Sequence, residues 1–220
     1  MHYLVDNRLI KSENAALSYQ QTNSIILKYI EDLPANIDIL DYGCGKCRYS
    51  RQLNKKSRKL VLFYSEIQLS RKQMICGCYV SVREYANSHL DNAITISVEE
   101  QDNNNLSFDF ILCANVISAI PFENERKVVF DNINRHLKKT GYALITVQYY
   151  NSYFKSYSDK PGSIKYNDGW IIQRGKDFSF YGIISPSKLI DYCENSGLQI
   201  MNKKLIQGSV YLLVNKEEKY

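Results

Sequence analysis

The amino-acid sequence predicts an α/β fold, a mostly parallel sheet with helices on both faces that closes at one end in an antiparallel hairpin. Three observations predict it. A short apolar run, Ile37–Asp41, stops at two glycines one residue apart, Gly43 and Gly45, and gives way to a polar, basic stretch able to start a helix. Further runs at Leu60–Tyr64, Ala93–Val98, Phe110–Ala114 and Tyr142–Val147 are largely apolar, the pattern of strands buried on both faces, with helical stretches between them. Last, Leu198–Leu205 and Ser209–Val214 are joined by a short connection through Gln207-Gly208, which suits an antiparallel hairpin.

Size and composition set the bounds. At 220 residues, 45% of them hydrophobic, the chain is long enough for one well-buried domain and short for two, so residues 1–220 are expected to form a single domain. No apolar run approaches the ~18 residues needed to span a bilayer. Met1–Arg8 lacks the apolar centre of a secretion signal. The expectation is a cytoplasmic protein with no membrane partner.

Without such a signal the six cysteines are expected to be reduced thiols that fill small spaces. Cys44-x-x-Cys47 with Cys76-x-Cys78 raises a zinc site, but the first pair lies inside the glycine turn and the second spacing is not the usual two-residue one, so no metal is expected. The net charge of +5 is mild and scattered. Its one run, Lys55–Lys59, falls where a helix-to-strand loop belongs and reads as a solvated loop, which makes nucleic acid the less favoured partner. No long heptad marks an oligomer.

Taken in order, residues 1–36 read as a helical lead-in, because Ala15–Leu17, Ile25–Leu27 and Ile30 share an apolar face that Pro34 ends. The strand Ile37–Asp41 is followed by a helix over about Arg48–Leu53, then by the strand Leu60–Tyr64. Residues 67–90 read as a helix with an irregular patch around Cys76-Gly77-Cys78, and Ala93–Val98 as the third strand. After the strand ending at Ala114, Pro121 suits the first turn of a helix, where no amide donor is needed. Val129, Ile133 and Leu137 recur every four residues along that helix, and Gly141 is expected to stop it. Ser187–Ser196 reads as the last helix before the hairpin.

The glycine turn is the chemical centre. Gly43 and Gly45 lack a Cβ, so the backbone can take positive φ and a ligand can lie directly on the chain. Asp41 stands at the strand's carboxyl end, where open α/β sheets bind small molecules. Glu66 follows the second strand, twenty-one positions after Gly45 (66 minus 45). An acid near ~20 residues past such a turn is placed to accept hydrogen bonds from ribose hydroxyls.

Asp41-Tyr42-Gly43-Cys44-Gly45-Lys46-Cys47 resembles the first motif of the class I S-adenosylmethionine-dependent methyltransferases, commonly Asp/Glu-x-Gly-x-Gly-x-Gly, with Cys47 in place of the last glycine. The stretch Phe108–Pro121 resembles the same family's fourth-strand motif, and Lys138-Lys139-Thr140-Gly141 its lysine-x-glycine-glycine turn, with Thr140 for a glycine. Together with the closing hairpin the resemblance covers about residues 37–214. It implies a Rossmann-like seven-stranded sheet, S-adenosyl-L-methionine as cofactor, and methyl transfer to a small-molecule or exposed macromolecular acceptor.

The resemblance also implies roles. Gly43, Cys44 and Gly45 lie against the cofactor, Asp41 meets its amino-acid end, and Glu66 its ribose. Glu99 or Glu100 accepts the adenine amino hydrogen, and the Ala114-Asn115 turn borders the methyl group. Tyr149, Asn151 and Trp170 are the candidates for the acceptor pocket, and the lead-in brings Tyr19 over the cofactor. Tyr149–Tyr181 is expected as a lid insertion: ten of its thirty-three positions are aromatic, against 12% of the chain. Those rings either grip a planar, partly polar substrate or order the lid by packing.

No catalytic residue is assigned. A general base is needed only if the nucleophile arrives protonated, and His136 falls in a helix's last turn, where the dipole accounts for it. Ala114-Asn115-Val116-Ile117 lacks the Asn/Asp-Pro-Pro-aromatic signature of base-nitrogen methylation, and no proline precedes Cys113, which sets the DNA-modifying subclasses aside. The rivals are a non-catalytic S-adenosylmethionine-binding module, a methyltransferase acting on nucleic acid, and a nicotinamide-dependent oxidoreductase.

Overall fold

The computed structural model describes residues 1–15, 21–103, 106–149 and 159–217. Its strands are β1 His2–Val5, β2 Arg8–Lys11, β3 Ile37–Tyr42, β4 Ser57–Tyr64, β5 Gln73–Ile75, β6 Cys78–Val80, β7 Ala93–Ser97, β8 Phe108–Ala114, β9 Leu137–Gln148, β10 Ile164–Tyr166, β11 Gly169–Arg174, β12 Asp177–Gly182, β13 Leu198–Ile206 and β14 Ser209–Lys216. Its helices are α1 Ser24–Glu31, α2 Ser50–Lys56, α3 Glu66–Ser70, α4 Val82–His89, α5 Glu123–His136 and α6 Pro186–Asn195. Seven strands form one mixed, mostly parallel sheet in the order β13-β14-β9-β8-β3-β4-β7, closed by the antiparallel strands β9, β14 and β13. This is the Rossmann-like arrangement expected. Among the described residues no helix is long and apolar enough to cross a membrane.

Contacts gather into two compact units, Ala16–Leu112 and Met1–Ala15 with Cys113–Tyr220. In the first, β3 lies between β4 and β8, all parallel, so that Asp41 pairs with Leu62 on one side and Leu112 on the other. Strands flanked on both sides and covered on both faces must be apolar throughout. Leu40, Val61, Leu62, Ile111 and Leu112 are accordingly buried. Helix α2 packs on β3 and β4, and α4 on β7. Asn23 starts α1 by accepting the amides of Ile25 and Ile26, and Ser81 with Glu84 forms a reciprocal cap on α4.

The expected helix over 67–90 is corrected here. Helix α3 ends at Ser70, and the irregular patch is an antiparallel hairpin, β5–β6, turning through Cys76 (φ +49°) and Gly77 (φ +90°). Two successive left-handed residues match the twist of paired strands and break a helix. Beyond that turn, Tyr79 and Val80 favour a strand.

The expected helical lead-in over 1–36 holds at α1, where Ile26 and Ile30 are buried, but its first part, which lies in the second unit, is corrected. β1 and β2 form a hairpin through Asp6 (φ +45°) and Asn7 (φ +62°), and Ser12–Ala15 is a short 3-10 turn. Tyr3, Val5 and Ile10 are buried while Leu4 and Leu9 are exposed, the two-residue alternation of a strand. This hairpin is the edge of a second sheet, ordered β1-β2-β12-β11-β10. The expected lid insertion, where described, is therefore three antiparallel strands of that sheet. Tyr19 and Asn151, with residues 150–158, lie outside the described residues.

Gly141 does not stop the helix, because α5 ends at His136 and Leu137 turns extended (ψ +134°) to begin β9, with Gly141 inside the strand. α5 packs on β9 and α6 on β13. The closing hairpin turns through Gln207 (φ +50°) and Gly208 (φ +75°), as its sequence predicts.

Candidate active site

Strand β3 delivers Asp41 to the carboxyl end of the sheet, and the chain then reverses through Gly43 (φ +72°), Gly45 (φ +57°) and Cys47 (φ +55°) before α2 begins. Three left-handed residues at alternate positions make a tight cup. Cys47 adopts the glycine-like conformation without being glycine, which for a side chain costs ~1–2 kcal/mol. The cup is tied to its neighbours: the amides of Gly43 and Cys44 both donate to the Phe63 carbonyl at the end of β4, at 2.7 and 3.3 Å, and Cys47 N–H donates to Cys44 O at 2.9 Å. Cys44 and Cys47 are buried free thiols in contact with each other. That contact, together with burial, raises the Cys44 pKa and keeps it protonated, so it serves as a neutral wall rather than a nucleophile.

Asp41 is 5% exposed, and its carboxylate accepts one hydrogen bond, from Ser50 Oγ at 2.8 Å. Burial pushes its pKa up to about 7, with the Ser50 hydroxyl pulling the other way. Among the described residues no salt bridge reaches it. A buried carboxylate beside an open backbone turn, with no cation of its own, suits a positively charged ligand.

Glu66 opens α3 directly after β4, and Arg83 and Ser70 both donate to its carboxylate, so the two together hold its pKa below the usual carboxylate range. The acid stays ionised, and its oxygens retain lone pairs for further donors. Glu99 lies in the 3-10 turn after β7 and accepts the Glu66 amide at 3.2 Å, capping α3, while Glu100 accepts the Ser97 amide at 2.9 Å. Asp41, the glycine turn, Glu66 and Glu99 thus belong to one hydrogen-bonded neighbourhood. Three members escaped the sequence reading, namely Ser50, Arg83 and Gln68, whose buried side-chain amide donates to Gly45 O at 2.8 Å. A serine opening a helix is a detectable signal; the other two depend on tertiary approach and leave none.

In the other unit, Asn115 follows β8 with φ +60° and donates its amide to Thr146 O at 2.9 Å. Tyr149 closes the β9 end by donating its amide to Gly208 O at 2.9 Å. Trp170 sits half-buried on β11 with the Lys165 ammonium 4.3 Å from its ring centre. Of the histidines, His2 pairs with Glu13 at 2.7 Å and His89 stacks on Tyr85, so both are occupied structurally.

Residues 15–203 match the family described as a methyltransferase domain. YmfD, an uncharacterized protein of Escherichia coli K12, is 34% identical over 214 residues, covering 97% of this chain and 96% of that protein. An S-adenosylmethionine-dependent methyltransferase from Clostridium acetobutylicum shares the fold with a TM-score of 0.61 at 18% identity, over 93% of this chain and 94% of that one. So does the 1,6-didemethyltoxoflavin-N1-methyltransferase of Burkholderia thailandensis, solved with 1,6-didemethyltoxoflavin and S-adenosylhomocysteine bound: TM-score 0.60, 12% identity, 91% of this chain and 79% of that one.

Proposed function

Because the chain belongs to the methyltransferase domain family, we propose that it is an S-adenosylmethionine-dependent methyltransferase acting on a small-molecule or exposed macromolecular acceptor. One observation carries the reading. Asp41 is a buried carboxylate with no cationic partner among the described residues, set beside a backbone cup of three left-handed residues. The residues fit a ligand that is cationic at one end and carries a sugar at the other.

When bound, S-adenosylmethionine supplies an electrophilic methyl carbon on a sulfonium. The chain's own task is to hold and orient. Asp41 receives the amino-acid end, Gly43, Cys44 and Gly45 offer bare backbone to the middle, Glu66 takes the ribose hydroxyls, and Glu99 stands on the adenine side. Asn115 borders the methyl group. Tyr149, Asn151 and Trp170 serve the acceptor, the Tyr149 and Trp170 rings being suited to a planar or partly polar molecule. Positioning supplies the rate in such a transfer, since fixing two reactants in line removes the entropic cost of bringing them together.

Titration calorimetry with S-adenosylhomocysteine and NAD tests the assignment. The intact chain is expected to bind S-adenosylhomocysteine and to ignore NAD, and Asp41→Ala and Glu66→Ala each to lose at least about tenfold in affinity, the worth of one charge-assisted hydrogen bond. Tight NAD binding with no response to S-adenosylhomocysteine contradicts the function. Unchanged affinity in both variants contradicts the site.

A further inference from the structure

Gln68 is fully buried on α3, two residues after Glu66, and points its side-chain amide at the glycine turn. Its Nε2 donates to the Gly45 carbonyl at 2.8 Å. A carbonyl only accepts, so the NH2 end must face Gly45 and Oε1 must face away. That Oε1 is buried with no hydrogen-bond partner. A side chain chosen for packing alone would not leave half an amide unmet in a core, where leucine or methionine fills the same volume at no polar cost. The amide is explained by the one bond it makes.

The segment carrying that bond is the one that carries Glu66. Phe63 O holds the amides of Gly43 and Cys44, and Gln68 holds the carbonyl of Gly45, so three successive turn residues, counting Gly43, Cys44 and Gly45, are fastened to residues 63–68. Gly45 is free to rotate, since it has no Cβ and stands at φ +57°. Fixing its carbonyl fixes the peptide plane between Gly45 and Lys46.

We propose that Gln68 is a positioning residue for the cofactor: it locks the Gly45 peptide and thereby sets the glycine turn at a fixed separation from Glu66, so that the two grips on S-adenosylmethionine are pre-aligned. This rests on the reading of the chain as an S-adenosylmethionine-dependent methyltransferase. Ligand affinity then depends on Gln68 although Gln68 acts through Gly45.

The test uses the full chain and two variants. Gln68→Met keeps the length and removes the donor; Gln68→Glu keeps the shape and donates only when protonated. For Gln68→Met, S-adenosylhomocysteine affinity is expected to fall about tenfold, the worth of one buried hydrogen bond. Its melting temperature stays within ~3 °C of the intact chain, and deuterium exchange over residues 41–50 speeds up without ligand. For Gln68→Glu, the affinity ratio to the intact chain is lowest at pH 8 and recovers toward pH 5.5, as protonation restores a donor to Gly45 O; taking the ratio cancels the titration of Asp41. Gln68→Met with affinity within twofold and unchanged exchange over 41–50 overturns the proposal and leaves the function standing. A large fall in melting temperature with no loss of affinity assigns Gln68 to the core and overturns it equally. If the intact chain binds no S-adenosylhomocysteine, the functional reading fails first, and the positioning role fails with it.

Discussion

Asp41 carries an electrostatic conflict, a carboxylate taken out of water with one hydroxyl to hold it. Its folded pKa of about 7 lies above the ordinary 3.8, so as pH climbs the unfolded chain releases this proton first. The group's contribution to stability is therefore complete below pH 3.8, declines as pH rises, and is gone above about 7, a swing of up to ~4 kcal/mol. Asp41→Asn removes the titration, and denaturant unfolding should show the variant gaining on the intact chain between pH 4 and 7. A difference that stays flat over that window contradicts the burial argument. Ligand binding runs the other way: the ammonium group of the ligand's amino-acid end favours the ionised carboxylate, so S-adenosylhomocysteine affinity should rise from pH 6 to 8 in the intact chain and not in Asp41→Asn. Asp41, Gly43 and Gly45 were legible because backbone freedom and strand ends leave a local pattern. Arg83 on Glu66 and Gln68 on Gly45 are separated by 17 and 23 residues and have none.

Among the elements, the parallel strands were legible and the small hairpins were not. β3, β4, β7 and β8 are apolar runs with no competing period, whereas Asp6-Asn7 and Cys76-Gly77 are two-residue turns whose flanking strands are only three or four residues long. Leu4 and Leu9, paired across the first hairpin, are exposed and blur its alternation. The second sheet is held to α5 by a bond no pattern announces: Arg126, fully buried, donates to Asp168 at 2.5 and 2.8 Å and to Ile120 O at 2.8 Å, with the Phe180 ring 5.7 Å away. Lys188 reaches the same carboxylate at 3.4 Å. Removing Asp168 strands a guanidinium in the core, so Asp168→Ala should lose roughly 3–5 kcal/mol in chemical unfolding. A loss below ~1 kcal/mol shows that the pair is not what fastens β10–β11 to α5.

At the scale of the molecule, the mostly parallel sheet with its antiparallel closing strands is what the methyltransferase domain family predicts. The five-stranded sheet is what the sequence hid. It combines residues 2–11 with residues 164–182, and only folding brings segments so distant in the chain into one layer. The aromatic enrichment of that segment is partly explained by its core, where Tyr166, Phe180 and Phe122 meet edge to face and Arg126 lies over Phe180. Trp170, half-buried with the Lys165 ammonium over its ring, packs against Ile172 and Tyr181, so packing accounts for part of its environment too. In the proposed function an adenosyl ligand is held by the bare turn after β3. A crystal structure of the chain with S-adenosylhomocysteine decides this: density is expected on Gly43–Gly45, with the amino-acid end at Asp41 and the ribose hydroxyls on Glu66. Density for the ligand anywhere else, or side chains filling that turn, contradicts it.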